Sequence, residues 1–315
     1  MEEKEVDLVF IGHLTLDDTV LPNGKTNFDS LGGAALYSAA GANLWSKQLG
    51  LVSRIGNDYD PTILENLGID TTGVAAHCQP NIHIWALYDR SGHRYFIPQK
   101  GGGNYLDMSP VPNEIPMIYL QSARGYHIAP MPLPCQEKMV ETLSLLDAII
   151  TVDPHHEWLE PEYFERWNKM LARVDIFLPS EDEFTTFWGI PKEDDPEKYK
   201  EWIIKTAKLG PRIVVLKLGE KGVFIYDSFD DVFYSVPSVA EKVVDVTGGG
   251  DAFCGGFLSG YILTSDTLTA ALYGTVSSSF VIEDFGPLHM FHLQDNQIEN
   301  QLSKLKLKIT EGYHV

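Results

Sequence analysis

The feature that most constrains the fold is a glycine-rich stretch late in the chain. Residues 243–263 read VVDVTGGGDAFCGGFLSGYIL. Two valines lead into Asp245, three consecutive glycines follow Thr247, and Asp251 opens an apolar segment with helical spacing. This pattern predicts a strand or loop, a glycine turn, and then a helix with Asp251 in its first turn.

The same order of elements predicts a site for an anion. Glycines allow successive backbone N–H groups to point into one concavity, and a helix N-terminus adds roughly half a positive charge there. Asp251, at the rim, would lie beside a bound phosphate group and could accept a proton from a hydroxyl group that attacks it. A tight turn followed by a favourable first-turn acid is the simpler interpretation of these residues.

Three glycines inside the predicted helix favour a further constraint on this segment. Gly255, Gly256 and Gly260 would each cost about 1 kcal/mol relative to alanine in a helix. We therefore expect another backbone to pack closely against this helix.

The residues DVTGGGDAF, followed after Cys254 by GGF, closely resemble the C-terminal signature of the ribokinase family of carbohydrate kinases, also called the PfkB family. In that family the last Asp of the signature is the catalytic base and the glycines form the anion hole. The resemblance implies these roles for Asp251 and for Gly248, Gly249 and Gly250. It also implies ATP as the phosphoryl donor, with Mg²⁺ bridging its phosphates.

Two N-terminal motifs resemble the acceptor site of the family. Asp17 stands where the family places a carboxylate that binds substrate hydroxyls, and a carboxylate can accept two hydroxyl hydrogen bonds at once. Gly32 and Gly33 precede a run of small residues and resemble the Gly-Gly pair that lines the sugar site. Tyr37 stands where the family commonly has Asn, which leaves the acceptor open. Asp17 as an exposed loop acid is the alternative.

Hairpin-like segments predict a small second sheet. Residues 19–29 contain a Pro-Asn-Gly turn, and residues 77–98 alternate apolar and polar side chains around a second turn. The resemblance implies that about 13–31 and 77–105 form a β lid over the substrate.

The lid segments also contain candidate substrate contacts. Asn104 ends a glycine-rich return to the main body and is a candidate acceptor-binding residue, although the glycines could simply form a hinge. Trp85, Tyr88 and Tyr95 could stack on a sugar, or else form sheet surface or contacts of a homodimer through the lid.

Regular alternation of strands and helices from residue 119 onward predicts a parallel sheet covered on both faces, with ligands at the carboxyl ends of the strands. The expected fold is a ribokinase-like α/β three-layer sandwich with a central, mostly parallel sheet. We find no internal repeat or linker, so residues 1–315 are expected to form a single domain with a lid.

Two motifs in this second half resemble the metal and nucleotide motifs of the family. Ser180 and Glu183 resemble an Asn-x-x-Glu motif whose Glu organises Mg²⁺ largely through water, and they fit an ordinary capping box equally well. Gly219 and Gly222 resemble the nucleotide-binding turn, with Lys217 where Thr is common. A plain hairpin explains the same glycines.

The resemblance also covers the loop at residues 283–287. Together with Asp245 and Thr247, this loop resembles the region where some members of the family hold a monovalent cation, which makes K⁺ a further candidate.

Composition limits the partners. The 315 residues carry a formal net charge of −20, so no basic surface is available for nucleic acid. The three cysteines are scattered without a CxxC pair, and no apolar run approaches a membrane span. We expect a cytoplasmic protein without a membrane partner.

The sequence therefore predicts an ATP-dependent kinase acting on a hydroxyl of a small sugar or polyol. A nucleoside or vitamin kinase of the same fold is the alternative among enzymes, and a non-catalytic nucleotide- or sugar-binding protein is the alternative from another class. A dinucleotide oxidoreductase is disfavoured because no GxGxxG motif follows the first strand.

Overall fold

The computed structural model describes residues 5–90, 94–100 and 105–312. Within these ranges the strands form two sheets. The larger sheet contains β1 (Leu8–Ile11), β4 (Leu49–Ile55), β5 (Asp70–Ala76), β8 (Gly125–Ile128), β9 (Ile149–Val152), β10 (Ile176–Phe177), β11 (Ile213–Lys217), β12 (Val223–Asp227) and β13 (Val232–Val236). The smaller sheet contains β2 (Thr15–Val20), β3 (Thr26–Gly32), β6 (Ile82–Tyr88) and β7 (Arg94–Pro98).

The larger sheet is parallel except at one edge. Its strand order is β13-β12-β11-β10-β9-β8-β1-β4-β5, and every pairing from β5 to β11 is parallel. Strands β12 and β13 add an antiparallel edge. The predicted central, mostly parallel sheet is confirmed, and the carboxyl ends of its parallel strands meet at one rim.

Helices cover both faces of this sheet. Strand β1 directs Val9 and Ile11 into one core cluster, and Leu8 and Phe10 into a cluster on the opposite face. This alternation is what a strand buried on both faces requires, and it produces the expected three layers. The helices are α1 (Ala34–Asn43), α2 (Thr62–Asn66), α3 (Tyr105–Met108), α4 (Met117–Ser122), α5 (Leu133–Leu143), α6 (Phe164–Leu171), α7 (Glu181–Trp188), α8 (Lys200–Ala207), α9 (Gly249–Thr264), α10 (Thr267–Val281) and α11 (Asp295–Gly312).

Two features delimit the helices near the glycines and the C-terminus. Helix α11 begins at Asp295, after a 3₁₀ turn over Leu288–His292. Gly248 alone lies outside α9, so Gly249 and Gly250 belong to its first turn and not to a preceding loop.

The smaller sheet has the order β3-β2-β6-β7. Strands β2 and β3 form the predicted hairpin, which turns at Gly24, and β6 pairs with β7 in the second hairpin. The four strands lie within the segments expected to form a lid, and lid function remains a prediction.

Contact with α1 explains Gly255 of α9, and contact with α10 explains Gly256 and Gly260. A Cβ atom at Gly255 would lie 1.8 Å from the carbonyl oxygen of Ser38, and one at Gly41 would lie 2.1 Å from that of Ala252. Both separations are far below van der Waals contact, so the two backbones touch with no side chain between them. The expected close backbone packing is confirmed.

Candidate active site

The start of α9 forms the concavity predicted for an anion. Gly248 caps the helix with a φ of 76°, in the left-handed region that favours glycine, and Asp251 lies in the first turn. A Cβ atom at Gly248 would also lie 2.0 Å from Cδ1 of Tyr37. Gly248 is thus required both by its backbone angle and by the ring packed against it.

The start of α1 forms the second glycine-lined place. Gly33 caps this helix with a φ of 97°, and a Cβ atom there would lie 2.3 Å from the carbonyl oxygen of His13. A Cβ atom at Gly32 would lie 2.0 Å from Oδ2 of Asp17. The structure therefore brings Asp17, Gly32 and Gly33 together, and only glycine at position 32 leaves room for the carboxylate.

Tyr37 joins these two places. It is the fourth residue of α1 and is buried, and burial raises the pKa of Tyr37 well above its usual value. Nearby acidic groups add to this increase: Asp17, Asp245, Asp251 and the phenol of Tyr88. The carboxylates of Asp17 and Asp251 thus both lie within electrostatic reach of the phenol group of Tyr37.

A buried ion pair lies behind the anion hole. Nζ of Lys217, the last residue of β11, stands 2.5 Å from Oδ2 of Asp153, which follows β9. Burial alone would lower the pKa of Lys217, but the charge and hydrogen bond of Asp153, together with Cys254 and Glu183, outweigh burial and raise this pKa above the usual value. The ammonium group is therefore charged, and it lies 3.4 Å from the position of a Cβ atom on Gly250.

The sequence family of carbohydrate kinases described as pfkB matches residues 6–292. The chain belongs to the pfkB family of carbohydrate kinases. A cytidine kinase of Thermococcus kodakarensis is 34% identical over 262 residues, which cover 81% of this chain and 88% of the relative. A nucleoside kinase of Methanothermobacter thermautotrophicus is 26% identical and covers 89% of this chain and 90% of its own length.

A crystal structure from E. coli, of a protein assigned as ribokinase II in complex with ATP and Mg²⁺, has the same fold. Its TM-score is 0.74, with 21% identity over 95% of this chain and 99% of that one. The ribokinase-like fold and the kinase activity class predicted from sequence are confirmed. As a pfkB kinase, the chain uses ATP and acts on a sugar or nucleoside.

The turn between β11 and β12 contains the expected nucleotide glycines. Gly219 and Gly222 have φ angles of 59° and 95°, and the turn closes with a 2.8 Å hydrogen bond from the Leu218 N–H to the Gly222 carbonyl. The turn follows Lys217 directly, so it lies at the same rim of the sheet. It is at once a tight turn between antiparallel strands and a candidate nucleotide contact for this kinase.

Ser180 and Glu183 form a capping box at the start of α7. Oε2 of Glu183 accepts hydrogen bonds from the backbone N–H and the hydroxyl of Ser180, both at 2.7 Å. Glu183 also acts electrostatically on Lys217 and on Asp153. The capping interpretation is confirmed.

Asp245 and Thr247 contact the smaller sheet. Tyr88, at the end of β6, donates a 2.6 Å hydrogen bond to Oδ1 of Asp245, and its hydroxyl is 2.7 Å from Oγ1 of Thr247. The same Oδ1 accepts the N–H of Thr247 at 2.9 Å. Asn104, the remaining candidate acceptor contact, lies outside the described residues.

Sequence reasoning did not identify an aromatic cluster beside the acceptor-side place. Nε2 of His13 lies 2.9 Å from the hydroxyl of Ser109, and the His13 ring meets Tyr105 edge-on at 5.4 Å. The ring of His155 stands 6.5 Å from that of Tyr105. Burial lowers the pKa of His13 to about 4 and that of His155 to about 3, so both rings are neutral near pH 7. In the sequence, the position of His13 just after the first buried strand was a signal that this residue lies near the site.

Within the described ranges, no helix combines the length and apolarity needed to cross a membrane. In the same ranges, no group of three or more His, Cys, Asp or Glu side chains is placed to hold a metal ion.

Proposed function

We propose that this pfkB kinase transfers the γ-phosphoryl group of ATP to a ribose hydroxyl of a nucleoside. The observation that carries the proposal is that Asp17, which lies beside Gly32, and Asp251 both act electrostatically on the phenol of Tyr37, whose ring packs on Gly248. A polyhydroxy acceptor held at the first place would present a hydroxyl toward an anion held at the second.

The relatives and the aromatic cluster favour a nucleoside over a free sugar. Both similar kinases named above are described as acting on nucleosides. His13, Tyr105 and His155 form a cluster of neutral rings, and Asp17 acts on the pKa of Tyr105. A nucleobase would stack on an accessible ring of this cluster, which supports a nucleoside acceptor.

A free sugar or polyol is the second candidate acceptor. The carboxylate of Asp17, beside Gly32, would accept hydrogen bonds from a pair of hydroxyl groups. This recognition does not require a nucleobase on the acceptor. The family to which the chain belongs is described as one of carbohydrate kinases.

In the proposed reaction Asp251 accepts the proton of the attacking hydroxyl. The bond between that oxygen and the γ-phosphorus forms while the bond to the β,γ-bridging oxygen breaks, and ADP leaves. The N–H group of Gly250, with the turn at Gly248, would stabilise charge on the phosphoryl oxygens. The N–H of Gly249 donates a 3.2 Å hydrogen bond to the carbonyl of Val246, so Gly249 would contribute by shaping the turn. Lys217, Gly219 and Gly222 would line the nucleotide site at the adjoining rim of the sheet.

Mg²⁺ fits the acids of this site through water. Only one oxygen of Glu183 is used in the capping box, which leaves Oε1 to accept a hydrogen bond from a metal-bound water. When bound, the ion would neutralise charge on the ATP phosphates. A K⁺ ion at Asp245 and Thr247 is also part of the proposal. A cation there would have to compete with the hydroxyl of Tyr88 for Oδ1 of Asp245.

We propose a homodimer that forms through the smaller sheet. Four apolar side chains on its edge strands are about half exposed: Phe28, Tyr95, Phe96 and Ile97. A second copy of the sheet would cover them. A single-charge substitution, Phe96→Glu, should convert a dimer to a monomer in sedimentation velocity, and a wild-type monomer would refute this part.

The cytoplasm remains the proposed location, where ATP is present and free cysteines persist.

The test is ATP consumption with a panel of cytidine, uridine, adenosine, ribose, fructose and myo-inositol. We expect turnover with a nucleoside that Asp251→Asn reduces by at least about 10³-fold, as expected for loss of a general base with its electrostatics. The matched control is Asp230→Asn, an exposed acid beyond the far end of β12, which should keep full activity. Nucleotide binding without turnover on any acceptor would favour a binding protein instead.

A further inference from the structure

The ion pair between Lys217 and Asp153 is buried at the rim where the parallel strands end. The side chain of Lys217 is 11% exposed and that of Asp153 is 3% exposed. Burying both partners costs several kcal/mol per ion before their attraction offsets it. A packing role alone would be served as well by two apolar side chains, so the pair requires another explanation.

The ammonium group of Lys217 retains an unused donor. It carries three N–H bonds, of which one reaches Oδ2 of Asp153 and another points at the thiol of Cys254, 3.7 Å away. Within the described ranges no protein atom accepts the third. The third N–H is therefore available to a bound ligand that reaches the ammonium group.

The position of this cation matches that of the anion hole. Nζ of Lys217 lies 3.4 Å from the place of a Cβ atom on Gly250, in the first turn of α9. The positive end of the helix and the ammonium group therefore face the same volume. An anion bound by the N–H groups of this turn would lie within reach of both.

Asp153 is held in a way that suits an aiming role. One carboxylate oxygen bonds Lys217, and the other, Oδ1, is buried and has no hydrogen-bond partner within the described ranges. The charged or titratable groups that act on the pair from the surrounding elements are Glu183, Asp251, Cys254 and His127. None of these is a second cation, so Lys217 is the sole positive charge in this set.

We propose that Lys217 binds a phosphate group of the nucleotide directly and that Asp153 is the positioning residue that aims its ammonium group. This inference rests on the proposed function, and it specifies which charge in the site recognises the phosphates. Neither residue needs to contact the nucleoside acceptor.

The first test compares ligands with and without phosphates. Calorimetry of the full chain with ADP and with adenosine should show that Lys217→Met weakens ADP binding by about tenfold or more, as for loss of a charge-assisted hydrogen bond, and leaves adenosine binding unchanged. The matched control is Lys205→Met, which removes a lysine paired with Glu201 at 2.8 Å on the surface of α8. Equal ADP affinity in Lys217→Met and wild type would overturn the proposal.

The second test separates phosphate recognition from stability. In the double variant Lys217→Met with Asp153→Asn, both buried charges are removed, so a purely structural role predicts recovery of both thermal stability and ADP affinity. The proposal predicts recovered stability with ADP affinity still reduced. Asp153→Asn alone should weaken ADP binding less than Lys217→Met, and a larger loss would contradict its positioning role.

These measurements require no turnover. If ADP binding depends on Lys217 but no acceptor supports ATP consumption, the proposed function fails while this inference stands.

Discussion

The hydroxyl of Tyr88 donates a 2.6 Å hydrogen bond to Oδ1 of Asp245. Tyr88 ends strand β6 of the smaller sheet, whereas Asp245 precedes the glycines of the anion hole. This hydrogen bond therefore joins the smaller sheet to the segment that precedes α9.

Removing the hydrogen bond between Tyr88 and Asp245 should weaken acceptor binding. Hydrogen bonds to charged groups contribute about 1.5–3 kcal/mol, and without this one the smaller sheet would close less firmly over the acceptor. We therefore expect Tyr88→Phe to raise the KM for the acceptor by about 5- to 50-fold. The KM for ATP should change far less. Steady-state kinetics check this, and equal effects on both KM values would contradict it.

Tyr37 should affect the acceptor through its hydroxyl group and stability through its ring. Tyr37→Phe keeps the ring packed on Gly248, so we expect a melting temperature close to wild type and an acceptor KM raised by about tenfold, for one lost hydrogen bond. Tyr37→Ala should instead lower the free energy of unfolding by about 3–5 kcal/mol, the usual cost of deleting a buried ring. Unchanged kinetics in Tyr37→Phe would exclude a contact between this hydroxyl and the acceptor.

Gly255→Ala should destabilise the protein although alanine is the better helix former. The new Cβ atom would lie 1.8 Å from the carbonyl oxygen of Ser38, so α1 and α9 must separate. We expect a loss of about 3 kcal/mol or more in urea denaturation, beyond the usual cost of overpacking. Gly68→Ala is the comparison, because nothing lies within 4 Å there and only its φ of +87° is unfavourable, at about 1–2 kcal/mol.

Buried histidines should make the protein sensitive to mild acid. Burial lowers the pKa of His13 to about 4 and that of His127 to about 3, from 6.5 in the unfolded chain. The unfolded chain then binds more protons, so their contribution is present above pH 6.5 and is lost as pH falls toward the folded values. Each should contribute a slope of about 1.4 kcal/mol per pH unit in that window.

His127→Gln tests this assignment, because glutamine can still bond Thr151 but cannot gain a proton. Urea denaturation between about pH 7.5 and pH 4.5 should show a shallower loss of stability in the variant, by the slope of one histidine. Parallel curves for the two proteins would assign the acid sensitivity to other groups.

The sequence was sufficient for the fold, and it named the residues of the candidate site. The alternation of strands and helices predicts the parallel sheet, and the glycines of α9 predict close packing of another backbone, because both signals are local. The motif around Asp251 and the Gly32–Gly33 pair were found by resemblance to the family, and the structure places both beside Tyr37.

The remaining relationships depend on contacts between distant segments. Lys217 and Asp153 are 64 residues apart and meet because β9 and β11 flank β10 in one parallel sheet. The bond between Tyr88 and Asp245 joins two sheets across 157 residues. Neither spacing leaves a periodic signal, so only the three-dimensional arrangement reveals these pairs.

The contact between Gly255 and Ser38 has a consequence for how this kinase can diversify. Helix α1 begins at the candidate acceptor site and α9 begins at the candidate anion hole, and their main chains are in direct contact at Gly255 and Gly41. Residues of the cleft and of the smaller sheet can therefore be exchanged for others that recognise a new alcohol while the separation of donor and acceptor is inherited intact. Related kinases can thus evolve a new acceptor specificity while they keep the geometry of phosphoryl transfer.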